Sequence, residues 1–333
     1  MACNLAIAGV TGAVGQEFLK ILDERDFPFD SLKVLASSRS AGKKIEFKGR
    51  EYIIEEMTKN SFKGVDIALF SAGGARSKEF APAAAQAGAV VVDNTSAFRM
   101  DPDVPLVIPE INPQKIQEHK GIIANPNCST IIGIVPVWPL HKANPVKRMV
   151  VSTYQAASGA GMQAMLELEN QSREILAGKK PTMSVFPYQI AFNCFSHNSA
   201  LGPNGYNEEE TKLVRETRKI FDCPEIAITA TCIRIAVFRT HCESINLEFA
   251  DPITDDQVRD LLSTAPGVKV MDDREHNRFP MPIDATGKDD ILVGRIRQDE
   301  SIPDNRGINI WVAGDQLRKG AALNAVQIAE KLL

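Results

Sequence analysis

Over the first third of the chain, short apolar runs alternate with stretches of helical periodicity. Residues 4–9 (NLAIAG) are apolar on both faces and predict a buried strand, and residues 15–25 carry Phe18, Leu19 and Leu22 at helical spacing. Further strands are predicted over 32–36, 67–70 and 89–92, with an alanine-rich helix over 77–87. Apolar strands alternating with helices predict an α/β unit, a doubly wound parallel sheet covered on both faces. Beyond about residue 128 the pattern changes. Strands are predicted over 146–154, 226–235 and 241–249, with shorter ones near 268–271, 291–296 and 308–313; helices are predicted over 162–176, 208–221 and 255–263. This half reads as a mixed sheet with helices on one side. Residues 177–207, rich in Pro, Asn, Gly and aromatics, read as a long contact segment, and 317–332 as an amphipathic helix with the stripe Leu317, Ala321, Ala325, Ile328 and Leu332.

Composition narrows the function classes. A chain of 333 residues favours two domains, and 24% charged with 44% hydrophobic residues is the balance of a folded, soluble protein. A net charge of −4 lacks the basic footprint of a nucleic-acid binder. The longest apolar run, 131–140, is broken by Gly133, Pro136 and Pro139, so no membrane span is expected. The start Met-Ala-Cys-Asn has no basic region, and no signal peptide is expected. Six cysteines without a CxxC pair read as reduced thiols of a cytoplasmic protein, and five histidines without HxxxH or HExxH spacing give no support for a metal site.

The first chemical motif, Gly9-Val-Thr11-Gly12-Ala13-Val14-Gly15, directly follows the opening strand. Glycines there permit a tight turn and close backbone approach, so that the next helix aims its N-terminal amides at a phosphate. The second strand ends in Ser37-Ser38-Arg39-Ser40, with none of the acidic residues that an NAD ribose would call for. An arginine with flanking hydroxyls suits a 2′-phosphate and favours NADP; the plainer reading is a solvated loop arginine. In Asn125-Pro-Asn127-Cys128-Ser-Thr130, Asn127 can cap a helix starting at Cys128, which sets that thiol at the positive helix end and favours a nucleophile. Pro136 is expected to kink or shorten this helix. The other cysteines (3, 194, 223, 232 and 242) read as small buried hydrophobes. A third cluster, Gln155-Ala-Ala-Ser158-Gly159-Ala-Gly161, follows a strand.

Taken in order, GVTGAVG, SSRS, DNTSAFR, NPNCST, QAASGAG and RIAVFRTH, with GDQLRKGAA near the end, resemble aspartate-semialdehyde dehydrogenase of the bacterial type over essentially the whole chain. The resemblance implies a Rossmann-type NADP-binding domain over 1–127 and 316–333, and an α+β catalytic and dimerisation domain with a mixed sheet over 128–315. It implies NADPH-dependent reductive dephosphorylation of L-aspartyl 4-phosphate by a homodimer, a step in lysine, threonine and methionine biosynthesis. Cys128 is similar to the family's nucleophile and His241 to its acid-base, for which an imidazole titrating near neutrality is suited. Gln155 resembles the residue orienting the acyl group, Arg234 the clamp on the α-carboxylate, Arg99 and Lys212 the phosphate pair, and Glu209 the acid meeting the ammonium group. Gly9, Thr11, Gly12, Ala13, Val14, Gly15, Ser38, Arg39, Ser40, Ser158, Gly159 and Gln316 are the expected cofactor contacts.

Without the resemblance, Glu209 and Lys212 are a surface i,i+3 pair and His241 an ordinary polar residue at a strand start. Arg234 and His241, seven apart, would face opposite sides of one straight strand, so the chain must turn over 236–240 for both to line one pocket. N-acetyl-γ-glutamyl-phosphate reductase shares the fold and the chemistry and is the nearest alternative; a non-catalytic NADP-binding sensor is the alternative from another class. The segment 181–206, with Phe186, Tyr188, Phe192 and Phe195, is the expected homodimer contact.

Overall fold

The computed structural model describes residues 3–333, which divide into two compact units: the first ends at Asn127 and resumes at Ala321–Leu333, and Cys128–Gly320 form the second. The return to the first unit thus comes at Ala321 rather than near residue 316. Residues 315–320 are held in the second unit through Asp315, whose Oδ2 accepts from Arg239 Nε (2.7 Å) and from the Gly287 amide (2.6 Å).

In the first unit, β1 (Cys3–Ala8) leads through α1 (Ala13–Glu24) to β2 (Phe29–Ala36). A hairpin, β3 (Lys44–Phe47) and β4 (Arg50–Ile53), and the short β5 (Glu55–Glu56) follow; the sequence pattern had not marked them. Then come β6 (Ile67–Phe70), α2 (Gly74–Gln86), β7 (Val90–Asp93) and β8 (Ile122–Ala124). The main sheet is parallel with the order β5-β2-β1-β6-β7-β8. Alternate residues of β1 serve opposite faces. Leu5 and Ile7 pack with Phe18, Leu22, Val326 and Ile328, whereas Ala6 and Ala8 pack with Ala81 and Ala84 of α2. Both faces are therefore covered, and the chain changes direction between β2 and β6, on either side of β1.

The second unit opens with α3 (Cys128–Ala143), followed by β9 (Val146–Gln155), α4 (Met162–Leu176), β10 (Cys194–Ser196) and α5 (Glu208–Phe221). The unit closes with β11 (Ala227–Ile235), β12 (His241–Phe249), α6 (Asp255–Ser263), β13 (Val268–Val270), α7 (Pro282–Ala285), β14 (Ile291–Gln298) and β15 (Gly307–Gly314). Its seven strands run β10-β11-β9-β12-β15-β14-β13 in a mixed sheet. Contrary to expectation, α3 is not shortened: Pro136 and Pro139 both lie inside its 16 residues. Residues 129–137 are all buried, so packing on every side holds the helix through the two missing N–H donors.

The final α8 (Leu323–Glu330) is preceded by a wider π-helical turn over Arg318–Ala322, which replaces the start of the single helix expected from 317. Ala325 and Ile328 of the predicted stripe join the core of the first unit. The irregular stretch after α4 is pinned rather than loose. Glu167 accepts from the amides of Ser184 (2.8 Å), Val185 and Phe186 (3.2 Å), and Gln171 Oε1 accepts from those of Ile190 (2.9 Å) and Ala191 (3.2 Å). Phe186, expected as an exposed anchor, is buried, while Tyr188 and Phe192 remain exposed, as do Met162, Leu166 and Met183.

Candidate functional site

In the first unit the glycine motif sits where the parallel sheet changes direction. Gly9 has φ +93°, and a Cβ there would come within 2.3 Å of the Ser71 carbonyl oxygen, just after β6. A Cβ on Gly15 would meet the Gly9 carbonyl oxygen at 2.3 Å. Only glycine lets the loop and α1 approach this closely. Gly12 is the N-cap of α1, and Ala13 and Val14 form its first turn, where backbone N–H groups lack intrahelical partners. A cavity of about 490 Å³ opens here. It is lined by the predicted Gly9, Thr11, Gly12, Arg39 and Ser40, together with Lys43 and Arg76, which the sequence reading had not singled out. Three cations and no carboxylate line it, an arrangement suited to phosphate. Ser38 does not line the cavity, and Gly15 supports the turn from beneath.

Arg99 belongs to this unit and is buried, its guanidinium donating to the carbonyls of Asn125 (2.9 Å) and Asn94 (2.8 Å). The DNTSAFR loop is fixed by Asp93, which accepts from Thr95 N–H (3.0 Å), Thr95 Oγ1 (2.8 Å) and Ser77 Oγ (2.9 Å). Asn125 is held in turn by Asn324 of α8, whose Nδ2 donates to Asn125 Oδ1 at 2.7 Å.

The second unit carries the remaining site residues. Arg234 on β11 is level with Gln155 on the adjacent β9, and Cys242 with Tyr154, so His241 stands at the Gln155 level on the other side. His241 is also level with Gly314 on β15. Arg234, Gln155, His241 and Gly314 thus form one row across four strands. Arg234 and His241 reach that row from two strands, with the turn over 236–240 between them, as the spacing required. Thr240 within that turn has φ +82°, an unusual state for a β-branched residue. Its amide donates to Gln316 Oε1 (2.8 Å) and its hydroxyl meets Thr286 Oγ1 (2.9 Å).

His241 is fully buried. Its Nδ1 accepts from the Ala156 amide at 3.0 Å, so the neutral ring carries its proton on Nε2, an atom with no hydrogen-bond partner among the described residues. Burial chiefly, and Arg234 in addition, push its pKa down to about 3. The expected imidazole titrating near neutrality is therefore replaced by a neutral ring offering one N–H. Gly159, predicted to meet the cofactor, lies against this pair: a Cβ there would fall 2.9 Å from Arg234 Nη1 and 3.1 Å from His241 Nε2. Ser158 and Gln316 are both buried and are hydrogen-bonded to each other.

Arg234 is 2% exposed, donates from Nη1 to the Ala156 carbonyl (2.8 Å), and has a buried Nε with no hydrogen-bond partner among the described residues. A buried guanidinium with an unused donor is prepared for an anion. Cys128 is the first residue of α3, partly exposed, at the helix end that stabilises negative charge, and it interacts electrostatically with Arg234. Gly320 packs on it: a Cβ there would lie 3.0 Å from Cys128 Cβ. By contrast, burial pushes the Cys242 thiol up to about 12 and Cys232 higher still. The reading of the other cysteines as buried needs correcting at two positions, because Cys194 is exposed and Cys223 partly so.

Glu209, in the first turn of α5, is 5% exposed and pairs with Lys212 at 3.2 Å, so this is not a solvated surface pair. A capping box made by Asn207 and Glu210 starts the helix there. Two further residues escaped the sequence reading. His197 lies 2.7 Å from Arg234 Nη2. Glu243, one row below His241 and level with Thr153, is buried with neither oxygen hydrogen-bonded among the described residues, and burial pushes its carboxyl well above the usual range.

Comparison with known proteins adds the family. Residues 4–119 match the model of the semialdehyde dehydrogenase NAD binding domain, and residues 137–319 that of the semialdehyde dehydrogenase dimerisation domain. The chain is 57% identical over 330 residues to an aspartate-semialdehyde dehydrogenase of Synechocystis, covering 99% of this chain and 97% of the relative. It is 54% identical to the Prochlorococcus marinus protein of the same name, covering 99% and 96%. Among solved structures, aspartate semialdehyde dehydrogenase II of Vibrio cholerae complexed with ASA matches with a TM-score of 0.96 at 46% identity, covering 100% of this chain and 98% of that one.

Proposed function

The chain belongs to the aspartate-semialdehyde dehydrogenase family, and from that premise we propose that it converts L-aspartyl 4-phosphate to L-aspartate 4-semialdehyde with NADPH, through a thioacyl intermediate on Cys128. It is an oxidoreductase of amino-acid biosynthesis with a nicotinamide-dinucleotide domain and a dimerisation domain, and it pairs as a homodimer. The carrying observation is the buried row of Arg234, Gln155 and His241, with Cys128 in electrostatic reach of Arg234.

The choice of NADP over NAD rests on Arg39, Lys43 and Arg76 around one carboxylate-free cavity, while Gly9 and Gly12 admit the diphosphate. Ser158, Gly159 and Gln316 are the cofactor contacts proposed from the second unit. When bound, the cofactor supplies the hydride. Cys128 attacks the acyl carbon: a C–S bond forms, the C–O bond to phosphorus breaks and inorganic phosphate leaves. After reduction the C–S bond breaks, its electron pair returns to sulfur and the aldehyde is released. His241, neutral with its proton on Nε2, donates a hydrogen bond to the acyl oxygen as negative charge develops there. Gln155, tethered to Thr153 Oγ1 at 3.3 Å, orients the acyl group. Arg234 takes the α-carboxylate, Glu209 the ammonium group, and Arg99 and Lys212 the phosphate. Among the described residues no helix is long and apolar enough to cross a membrane, and we read the protein as cytoplasmic from its cysteine usage.

The test is Cys128→Ala, assayed by phosphate-dependent NADPH formation from the semialdehyde. Turnover is expected to vanish while NADP binding, which depends on the glycine loop and Arg39, is kept. Measurable turnover by Cys128→Ala would overturn the covalent route.

A further inference from the structure

We propose that His197 and Ser199 form a bridge between the α-carboxylate clamp Arg234 and the ammonium-binding Glu209, and that this bridge sets the preference for an α-amino acid over the same carbon chain without the amine. The proposal rests on the roles given above to Arg234 and Glu209.

The Arg234 guanidinium is held on three sides. Nη1 donates to the Ala156 carbonyl at 2.8 Å, Nη2 contacts His197 Nε2 at 2.7 Å, and the guanidinium carbon sits 5.6 Å from the centre of the Phe186 ring. An arginine only donates, so His197 Nε2 must accept. The neutral ring then carries its proton on Nδ1, which faces Ser199 Oγ at 3.1 Å. That proton excludes the Ser199 amide, 3.3 Å away, from bonding the same nitrogen. The Ser199 hydroxyl in turn accepts from the Glu209 amide at 3.2 Å, in the first turn of α5. The backbone fixes the middle of this chain: His197 N–H donates to the Cys232 carbonyl at 2.8 Å, two residues before Arg234 on β11.

The result is a continuous path, Arg234–His197–Ser199, running from a buried cation to the backbone of Glu209, the residue that carries the buried carboxylate. An α-amino acid presents a carboxylate and an ammonium group at a fixed separation, and binding both at once requires that their partners be fixed as well. Without His197, the guanidinium keeps Ala156 as its one protein hydrogen-bond partner on the Nη edge and can turn about it. The loss then falls on the match between the two ends, which only a substrate carrying both charges can sense. His197 and Ser199 are accordingly positioning residues.

The experiment measures kcat and KM for His197→Ala, His197→Gln and Ser199→Ala with aspartate semialdehyde and with succinate semialdehyde, which lacks the amine. Thermal unfolding is recorded alongside. For His197→Ala, KM for aspartate semialdehyde is expected to rise about 10- to 100-fold, the scale of one lost charge-assisted hydrogen bond, with a smaller change in kcat. The preference for the amino substrate over succinate semialdehyde should fall by about the same factor. His197→Gln, whose amide oxygen can accept from Arg234, should recover most of that preference, and Ser199→Ala should lose part of it. An unchanged preference ratio in folded His197→Ala, or in Ser199→Ala should the first variant fail to fold, overturns the bridge. Arg234→Lys separates the two levels of the argument. If it raises KM while the His197 variants leave the ratio intact, the bridge alone fails. If it leaves KM unchanged, the reading of Arg234 fails and takes the bridge with it.

Discussion

A fully buried histidine and a partly buried one should make this protein acid-labile in a way that can be assigned residue by residue. Burial pushes His241 down to about 3 and His197 to about 4, from an ordinary value of 6.5. In both cases the unfolded chain binds the proton more readily than the folded one, so stability rises with pH across the window between the two values. The contribution is intact above about pH 6.5 and is lost progressively as pH falls toward 4 for His197 and 3 for His241. Between pH 7 and pH 5 the linkage relation gives a loss of about 2 kcal/mol for the fully buried His241. The loss is smaller for His197, which is only partly buried and so better screened. Urea titrations of the parent and of His241→Asn at both pH values, at one protein concentration because a dimer's stability depends on it, isolate the effect. Carboxylates titrate equally in both proteins and cancel in the difference. The asparagine variant should lose about 2 kcal/mol less than the parent on going to pH 5. Equal losses in the two proteins would mean that His241 is solvated or already paired as a cation, and the neutral Nε2–H donor role would fall with it.

Two more predictions concern close approach and charge. A Cβ on Gly133 of α3 would sit 2.5 Å from Glu243 Oε2, so Gly133→Ala should destabilise the parent by about 1–3 kcal/mol through overpacking. In a Glu243→Ala background the same change should stabilise by up to about 1 kcal/mol, as alanine does in a helix, and a double-mutant cycle by urea unfolding that shows no sign reversal would refute the contact. In the cofactor cavity, Arg39→Ala should weaken NADP binding about 10- to 100-fold with little change for NAD, and Lys43→Ala should weaken it less; equal losses for both cofactors, measured by fluorescence titration, would place the 2′-phosphate elsewhere.

What the sequence disclosed depended on how local each feature is. The glycine turn of residues 9–15 was legible because its geometry is set by neighbours in the chain: the Gly15 position is closed to a side chain by the Gly9 carbonyl itself. The length of α3 was not legible, because a proline rule describes an isolated helix and this one is held by burial along 129–137. His197 was missed for a different reason. It meets Arg234 only because an irregular stretch, pinned by Glu167 and Gln171, delivers β10 antiparallel to β11, and nothing in the periodicity foretells that pairing. The proposed catalytic row lies between these extremes. Met149 and Val151 on β9, Ala230 and Cys232 on β11, and Ile245 and Leu247 on β12 are buried positions of one parity on their strands. Extended by the same two-residue step, that parity reaches Thr153 and Gln155, Arg234, and Glu243 and His241. The polar residues of the site are therefore the core-facing positions carried on to the sheet's end, where apolar side chains give way to groups that need partners. The parity of each strand could be read from its own sequence. The order of the strands could not: β9 stands between β11 and β12, and that placement turns three separate parities into one row beside the first turn of α3. Glu243 follows from the same step. Being one period inside His241, it shares its burial, and with no hydrogen-bond donor on either oxygen among the described residues, desolvation pushes its carboxyl toward the protonated form.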